Sequence, residues 1–168
     1  MKQLTWEEMK RQDKIAESYL LNYATKRKAY LEKRSRLYDG QEYIGALGAT
    51  QYSDMPKGTD TGNPTASKAI SLVDLTTEEQ WIMTIENVHD SLSEKKLMFL
   101  SARRAAHETY YDGGTGRPGW VEETAKEYCK LRERLKGDYQ MLDRKTCMNW
   151  WREIVDFTVR IAQRRGCL

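Results

Sequence analysis

Histidine and cysteine are scarce in this sequence, which contains two His and three Cys residues. Cys129, Cys147 and Cys167 lie far apart and form no CxxC or Cys/His spacing, so the sequence supports neither a zinc site nor a disulfide framework. We therefore predict reduced thiols, as in a cytoplasm, and no metal or other cofactor. His89 and His107 fall in separate predicted helices without a Cys or carboxylate partner at a recognisable spacing. These absences favour a protein that is not an enzyme.

Long apolar runs are missing as well, and proline is rare. No run approaches the ~18–20 apolar residues that span a bilayer, and the N-terminus lacks a signal-peptide core, so we expect no membrane segment. Only three prolines occur in 168 residues, while charged residues make up 32% of the chain. This composition is typical of helical proteins, and we predict an all-α fold.

The charge is distributed unevenly along the chain, although the net charge is only +3. Residues 1–37 carry ten Lys/Arg and five Asp/Glu, residues 38–116 carry six and twelve, and residues 117–168 carry twelve and eight. Basic ends therefore flank an acidic middle. A basic segment can contact phosphate, whereas the acidic middle is suited to a basic protein or to the chain's own basic ends.

Residues 1–38 are predicted to form a long N-terminal helix that serves as an interaction arm. Thr5 and Glu8 have the spacing of a capping box at its start. Its apolar residues form a narrow stripe of Met9, Ile15, Ala16, Tyr19, Leu20, Tyr23, Tyr30, Leu31 and Leu37. Such a stripe needs a partner surface, which leaves three alternatives: a coiled-coil arm, a homodimer contact through this helix, or packing on the acidic middle.

Residues 39–64 are rich in Gly, Pro and small polar residues and are predicted to be a linker. Residues 65–168 are predicted to form a second, helical domain, interrupted by a Gly-rich turn at 112–119. We expect its helices to run from Thr65 to Asp74, from Thr76 through Val88, from Ser91 or Ser93 to about Tyr110, from Trp120 to Lys136, and from Arg144 to Arg165. Val73, Trp81, Leu100 and Leu135 are among the residues expected to face the core. Two pairs of glutamates, at 78–79 and 122–123, are expected in first helical turns, where the helix dipole favours them without any catalytic role.

The final helix has the clearest pattern in the sequence. Asp143 is predicted to be its N-cap, and Gly166 is expected to end it. Apolar or small residues recur on one predicted face, at Cys147, Trp151, Ile154, Val155, Thr158, Val159 and Ala162. The opposite side of its first turns carries Arg144, Lys145, Met148, Asn149 and Arg152.

Arg, Lys and Asn on an exposed helix start are the residues that a DNA major groove accepts, since Arg pairs with guanine edges and Asn with adenine edges. The two last helices therefore predict a helix-turn-helix at residues 120–165. Direct readout is assigned to Arg144, Lys145, Asn149 and Arg152. The residues assigned to phosphate contacts are Lys126, Lys130, Arg134, Lys136, Arg164 and Arg165. The alternative for the same pattern is a solvated basic face on an ordinary core helix.

Two segments also carry a resemblance to a known family. Residues 52–66, with Met-Pro-Lys-Gly at 55–58 and Asn-Pro-Thr at 63–65, resemble a signature of the ArpU/RinA-like phage transcriptional regulators of Gram-positive hosts. Residues 142–166 are similar to that family's recognition segment: Arg144, Lys145 and Thr146 fall on its start, and Trp151 and Ile154 fall on its packing positions.

The resemblance implies a helical protein of the bacterial host cytoplasm with a DNA-binding end like region four of sigma factors. It would bind double-stranded promoter DNA beside the host RNA polymerase and activate phage late genes. Two other hypotheses remain open. One is a DNA-packaging protein like a small terminase, which would assemble as a ring. The other is a helical adaptor that binds no DNA.

Overall fold

The computed structural model of the protein describes residues 5–46, 64–110 and 119–168. In these residues all regular secondary structure is helical, which confirms the predicted all-α class. The six helices are α1 (Trp6–Leu21), α2 (Tyr23–Ala46), α3 (Pro64–Ser91), α4 (Glu94–Tyr110), α5 (Trp120–Lys136) and α6 (Arg144–Arg164). Helices α1, α3, α4, α5 and α6 share one main core, while α2 packs chiefly on α3.

The single N-terminal helix expected over residues 1–38 is divided in two at Asn22. Both the backbone N–H and the side-chain amide of Asn22 donate to the carbonyl of Ser18, at 3.1 Å each. The Nε of Arg104, on α4, donates to the carbonyl of Leu20 at 2.7 Å. Carbonyls in the last turn of a helix lack an intrahelical partner, and these side chains supply one. The capping box predicted at Thr5 and Glu8 is present.

The second part of the arm prediction also needs correction, because α2 continues to Ala46 and occupies the first residues of the expected linker. The remainder of that linker, residues 47–63, lies outside the described residues, as does most of the turn expected at 112–119. Met9 and Leu31, which were expected on the buried stripe, are 45% and 46% exposed.

Helix α3 runs without interruption through the point where two separate helices were predicted. The hydroxyls of Thr76 and Thr77 donate to the carbonyls of Leu72 and Val73, at 2.9 and 3.1 Å, so they act inside the helix rather than as caps. The glutamates at 78–79 therefore lie in mid-helix, and not in a first turn. Val73 is 65% exposed, contrary to prediction.

The main core contains the residues that the apolar periodicity selected on α3 to α6. Its largest fully buried side chains include Tyr128, Phe99, Leu20, Ile85 and Leu100. Leu135, in contrast, is 61% exposed. It lies in the last turn of α5, level with the start of α4, since Lys136 forms an ion pair of 2.8 Å with Glu94, the first residue of α4. No further α4 residue is available there to cover Leu135.

Two adjacent tryptophans attach α6 to the core on different sides. The ring of Trp150 makes edge-on contacts with Phe99 of α4 and Tyr128 of α5, with ring centroids 5.7 and 6.3 Å apart. Trp151 is buried, and its indole N–H donates to the Glu17 carboxylate of α1 at 2.9 Å. Three helices therefore fix the rotation of α6 about its own axis.

An arginine lies between the aromatic rings of this contact. The guanidinium of Arg103 lies 4.7 Å from the ring centroid of Trp120 and 5.3 Å from that of Trp151. Burial lowers the pKa of Arg103, and the nearby Glu17 carboxylate opposes that shift. The aromatic faces take the place of water around this cation.

A second, smaller core joins α2 to α3 through Tyr30, Leu75 and Ile82. Ion pairs flank it: Lys33 with Glu78, and Arg27 with Glu86 at 3.6 Å. Of the three alternatives for the N-terminal helix, packing of a basic helix on the acidic middle is therefore present in the fold.

Replacing Phe99 by alanine is expected to destabilise the protein by about 3–5 kcal/mol, because it removes a fully buried ring that contacts α6. Denaturant unfolding followed by circular dichroism measures this loss. Leu135→Ala, at an exposed position of α5, is the control and should change stability by less than about 0.5 kcal/mol. Equal losses for both variants would contradict the described core.

Candidate nucleic-acid interface

Helix α6 begins as the sequence predicts. The Asp143 carboxylate accepts from the backbone N–H of Thr146 at 2.9 Å and from its hydroxyl at 2.5 Å. These hydrogen bonds hold the pKa of Asp143 below its usual range. The Thr146 hydroxyl is thus engaged in the cap, so its predicted role in DNA binding is limited to positioning the helix start. The connection from α5, residues 137–143, is non-helical and begins with Gly137 at φ 65°.

The inner face of α6 is buried as predicted. Cys147, Trp151, Ile154, Val155, Thr158 and Ala162 lie in the core, and Val159 is half-buried. Gly166, at φ 73°, ends the helix, with the N–H of Cys167 donating to the carbonyl of Ala162 at 2.9 Å. The opposite face is open: Arg144, Lys145, Met148, Asn149 and Arg152 are all exposed.

Three of the four predicted base-reading residues share one side of α6. Lys145, Asn149 and Arg152 follow the spacing i, i+4, i+7, which places them in a row along the helix. Arg144 is one position earlier and so points about 100° away from Lys145. Its guanidinium lies 3.8 Å from the Glu122 carboxylate at the start of α5. We define Lys145, Asn149 and Arg152 as the α6 basic row.

Most of the predicted phosphate-contact residues on α5 have acidic neighbours. Lys126 pairs with Glu123 at 3.2 Å, and Lys130 pairs with Glu127 at 2.8 Å. Both lysines remain more than half exposed, so these are surface pairs that a phosphate can exchange at small cost. Arg134 is exposed and lines a groove between α4 and α5 together with Lys130.

The remaining phosphate candidates lie apart from the start of α6. Lys136 is held by Glu94 of α4. Arg164 is exposed and Arg165 is half-buried at the opposite end of α6 from Lys145. A rise of 1.5 Å per residue separates them from Lys145 by about 30 Å, which is nearly one turn of duplex DNA at ~34 Å. The predicted contact residues therefore form several clusters and not one patch.

An acidic pair follows the α6 basic row, and the sequence prediction missed it. Asp156, one turn after Arg152, lies with Asp13 of α1 in a groove of about 480 Å³ between the two helices. Partial burial and the negative charge of Asp156 raise the pKa of Asp13. The pair sets a boundary: a phosphate is attracted by the first three turns of α6 and repelled beyond them. The signal in the sequence was an acidic residue four positions after Arg152.

Nothing in the described part of the chain indicates a catalytic or metal centre. It contains no group of three or more His, Cys, Asp or Glu side chains able to hold a metal ion. Burial raises the pKa of Cys147 to about 11, which leaves its thiol protonated. His89 is half-buried with its Nε2 2.8 Å from Arg104, and burial is the main cause of its lowered pKa. No described helix is long and apolar enough to cross a membrane.

Replacing Asp13 by asparagine is expected to stabilise the protein at neutral pH by about 0.2–0.5 kcal/mol, the size of a like-charge contact between partly exposed side chains. The folded-state pKa of Asp13 is raised, so the repulsion grows as the pH rises through that pKa and vanishes below about pH 4, where unfolded aspartate is also protonated. Urea unfolding at several pH values measures the difference. Asp13→Asn and Asp156→Asn should not be additive, because either change removes the repulsion. A gain that persists at low pH would exclude this cause.

Comparison of the chain with known protein families, with curated protein sequences and with solved structures gives no match.

Proposed function

We propose that the protein is a sequence-specific DNA-binding transcription regulator that places α6 in the major groove. The observation that carries the proposal is the α6 basic row, which is exposed on a helix whose other face is fixed in the core. Asparagine can bond an adenine edge and arginine a guanine edge, while lysine can contact either a base or a phosphate. Helices α5 and α6 would form the helix-turn-helix.

The other contacts in the proposal follow from the charges around the row. Arg134 is the first candidate on α5 for a phosphate contact, because it is exposed and has no ion pair within the described residues. Lys126 and Lys130 would exchange their glutamate partners for phosphate oxygens. Asp13 and Asp156 would keep the duplex over the first three turns of α6.

The regulatory role rests on the resemblance to ArpU/RinA-like phage regulators. That resemblance supports an activator of late genes that binds promoter DNA beside the host RNA polymerase in the host cytoplasm. We propose no enzymatic activity. The exposed state of the α6 basic row is compatible with this role, since a regulator of this kind must reach base edges without unfolding.

One observation favours the adaptor hypothesis as a second candidate. Leu135, Tyr139, Met141 and Met148 are 61%, 72%, 56% and 44% exposed, and all lie between the end of α5 and the first turns of α6. Exposed apolar side chains in one short stretch are typical of a protein contact. In the adaptor hypothesis this stretch binds a protein and the α6 basic row is only a solvated surface.

A duplex selected from random sequence by the full-length protein would give the site for the decisive test. Asn149→Ala and Arg152→Ala are expected to weaken binding to that site by about 1–3 kcal/mol each, with a smaller effect on unrelated duplex. Fluorescence anisotropy over a salt series measures both. Lys145→Ala should either relax the sequence preference, if Lys145 contacts a base, or lower affinity evenly and reduce the salt slope by about 1, if it contacts a phosphate.

Lys28→Ala is the matched control, because Lys28 is an exposed lysine on α2, away from α6. Its removal should leave the affinity for the selected site nearly unchanged. Failure of the wild-type protein to bind any duplex at low salt would overturn the proposal and leave the adaptor hypothesis.

A further inference from the structure

Helices α2 and α3 expose an apolar face that no described part of the chain covers. Leu31 of α2 and Leu72 and Met83 of α3 are 46%, 45% and 46% exposed. Leu72 and Met83 are eleven residues apart, which is about three helical turns, so they point to the same side of α3. We define these three residues as the α2–α3 face.

The ion pairs between the two helices show that Leu31 and Met83 are neighbours on this face. Arg27 pairs with Glu86 and Lys33 pairs with Glu78, which sets an antiparallel register. Leu31 and Met83 both lie between these two pairs along their helices. Leu31 follows Arg27 by four residues and Met83 precedes Glu86 by three, so each shares a side of its helix with a member of the first pair.

We propose that the α2–α3 face binds the same face of a second copy of this chain. Residues 23–37 carry six Lys/Arg and one Asp/Glu, whereas residues 72–91 carry five Asp/Glu and no Lys/Arg. About a two-fold axis, α2 of each copy can lie over α3 of the other, so that opposite charges meet around the apolar centre. A duplex would meet the carboxylates of α3, and a partner of one charge sign would be repelled by one of the two helices.

The size of the face suits a dimer. Helix α2 has 24 residues and is therefore about 36 Å long, and two packed helices are about 20 Å wide. A surface of these dimensions offers roughly 700 Å² per copy, close to the ~800 Å² per partner of a standard interface. None of its residues belongs to the α6 basic row, so the dimer is independent of DNA binding.

Sedimentation velocity of the full-length protein over a concentration series tests the proposal. We expect a species of about twice the 19.7 kDa chain mass. Leu31→Glu and Leu72→Glu should each raise the dimer dissociation constant by about ten-fold or more, as expected for a charge at the centre of an interface. Leu135→Glu is the matched control: it makes the same change at an exposed leucine of α5 and should leave the dimer intact. Circular dichroism of each variant establishes that it is folded, and Met83→Glu serves in place of one that is not.

Three results would overturn the proposal: a wild-type protein that stays monomeric at its highest soluble concentration, a ring or other larger assembly, or folded variants of the α2–α3 face that dimerise like the wild type. The outcome is separate from that of the proposed function. A dimer that binds no duplex would remove the DNA-binding proposal alone, and a monomer that binds its duplex would remove the dimer alone.

Discussion

The rotation of α6 about its own axis determines which side chains the protein presents at this end of the fold. That rotation is set by the two neighbouring tryptophans, Trp150 and Trp151, whose side chains leave the helix about 100° apart. One ring contacts α4 and α5, and the other contacts α1 through Glu17. A rotation by one residue position would expose one indole and bury a charged side chain, and both changes are costly.

The basic and acidic residues of the protein matter through their positions and not through their totals. The excess of cations in the first segment is largely used inside the fold, where Arg27 and Lys33 pair with glutamates of α3. Several lysines of α5 have glutamate partners as well. What remains on α6 is a short row of polar and basic side chains that ends at Asp156. A net charge of +3 would not have indicated such a localised surface.

Local chemistry in the sequence was enough to predict α6 and its cap. A carboxylate at Asp143, a periodic apolar face and a glycine at 166 act over one or two turns and need no other part of the chain. The same kind of reasoning failed at Thr76 and Thr77, because a threonine hydroxyl can cap a helix or bond back to a carbonyl four residues earlier, and the sequence alone does not distinguish them. It failed at Leu135 because burial there depends on where α4 begins. The acidic pair of Asp13 and Asp156 required knowledge that α1 lies along α6.

The junction at Asn22 shows that even a secondary-structure boundary can depend on the tertiary fold. One of its hydrogen bonds is local, from Asn22 to Ser18, but the other comes from Arg104, more than eighty residues later in the chain. A synthetic peptide of residues 5–37 would lack that guanidinium and would have less reason to bend. It could form a single straight rod of about 50 Å. The elbow between α1 and α2, and with it the direction in which the basic helix leaves the core, is therefore established only when α4 has docked.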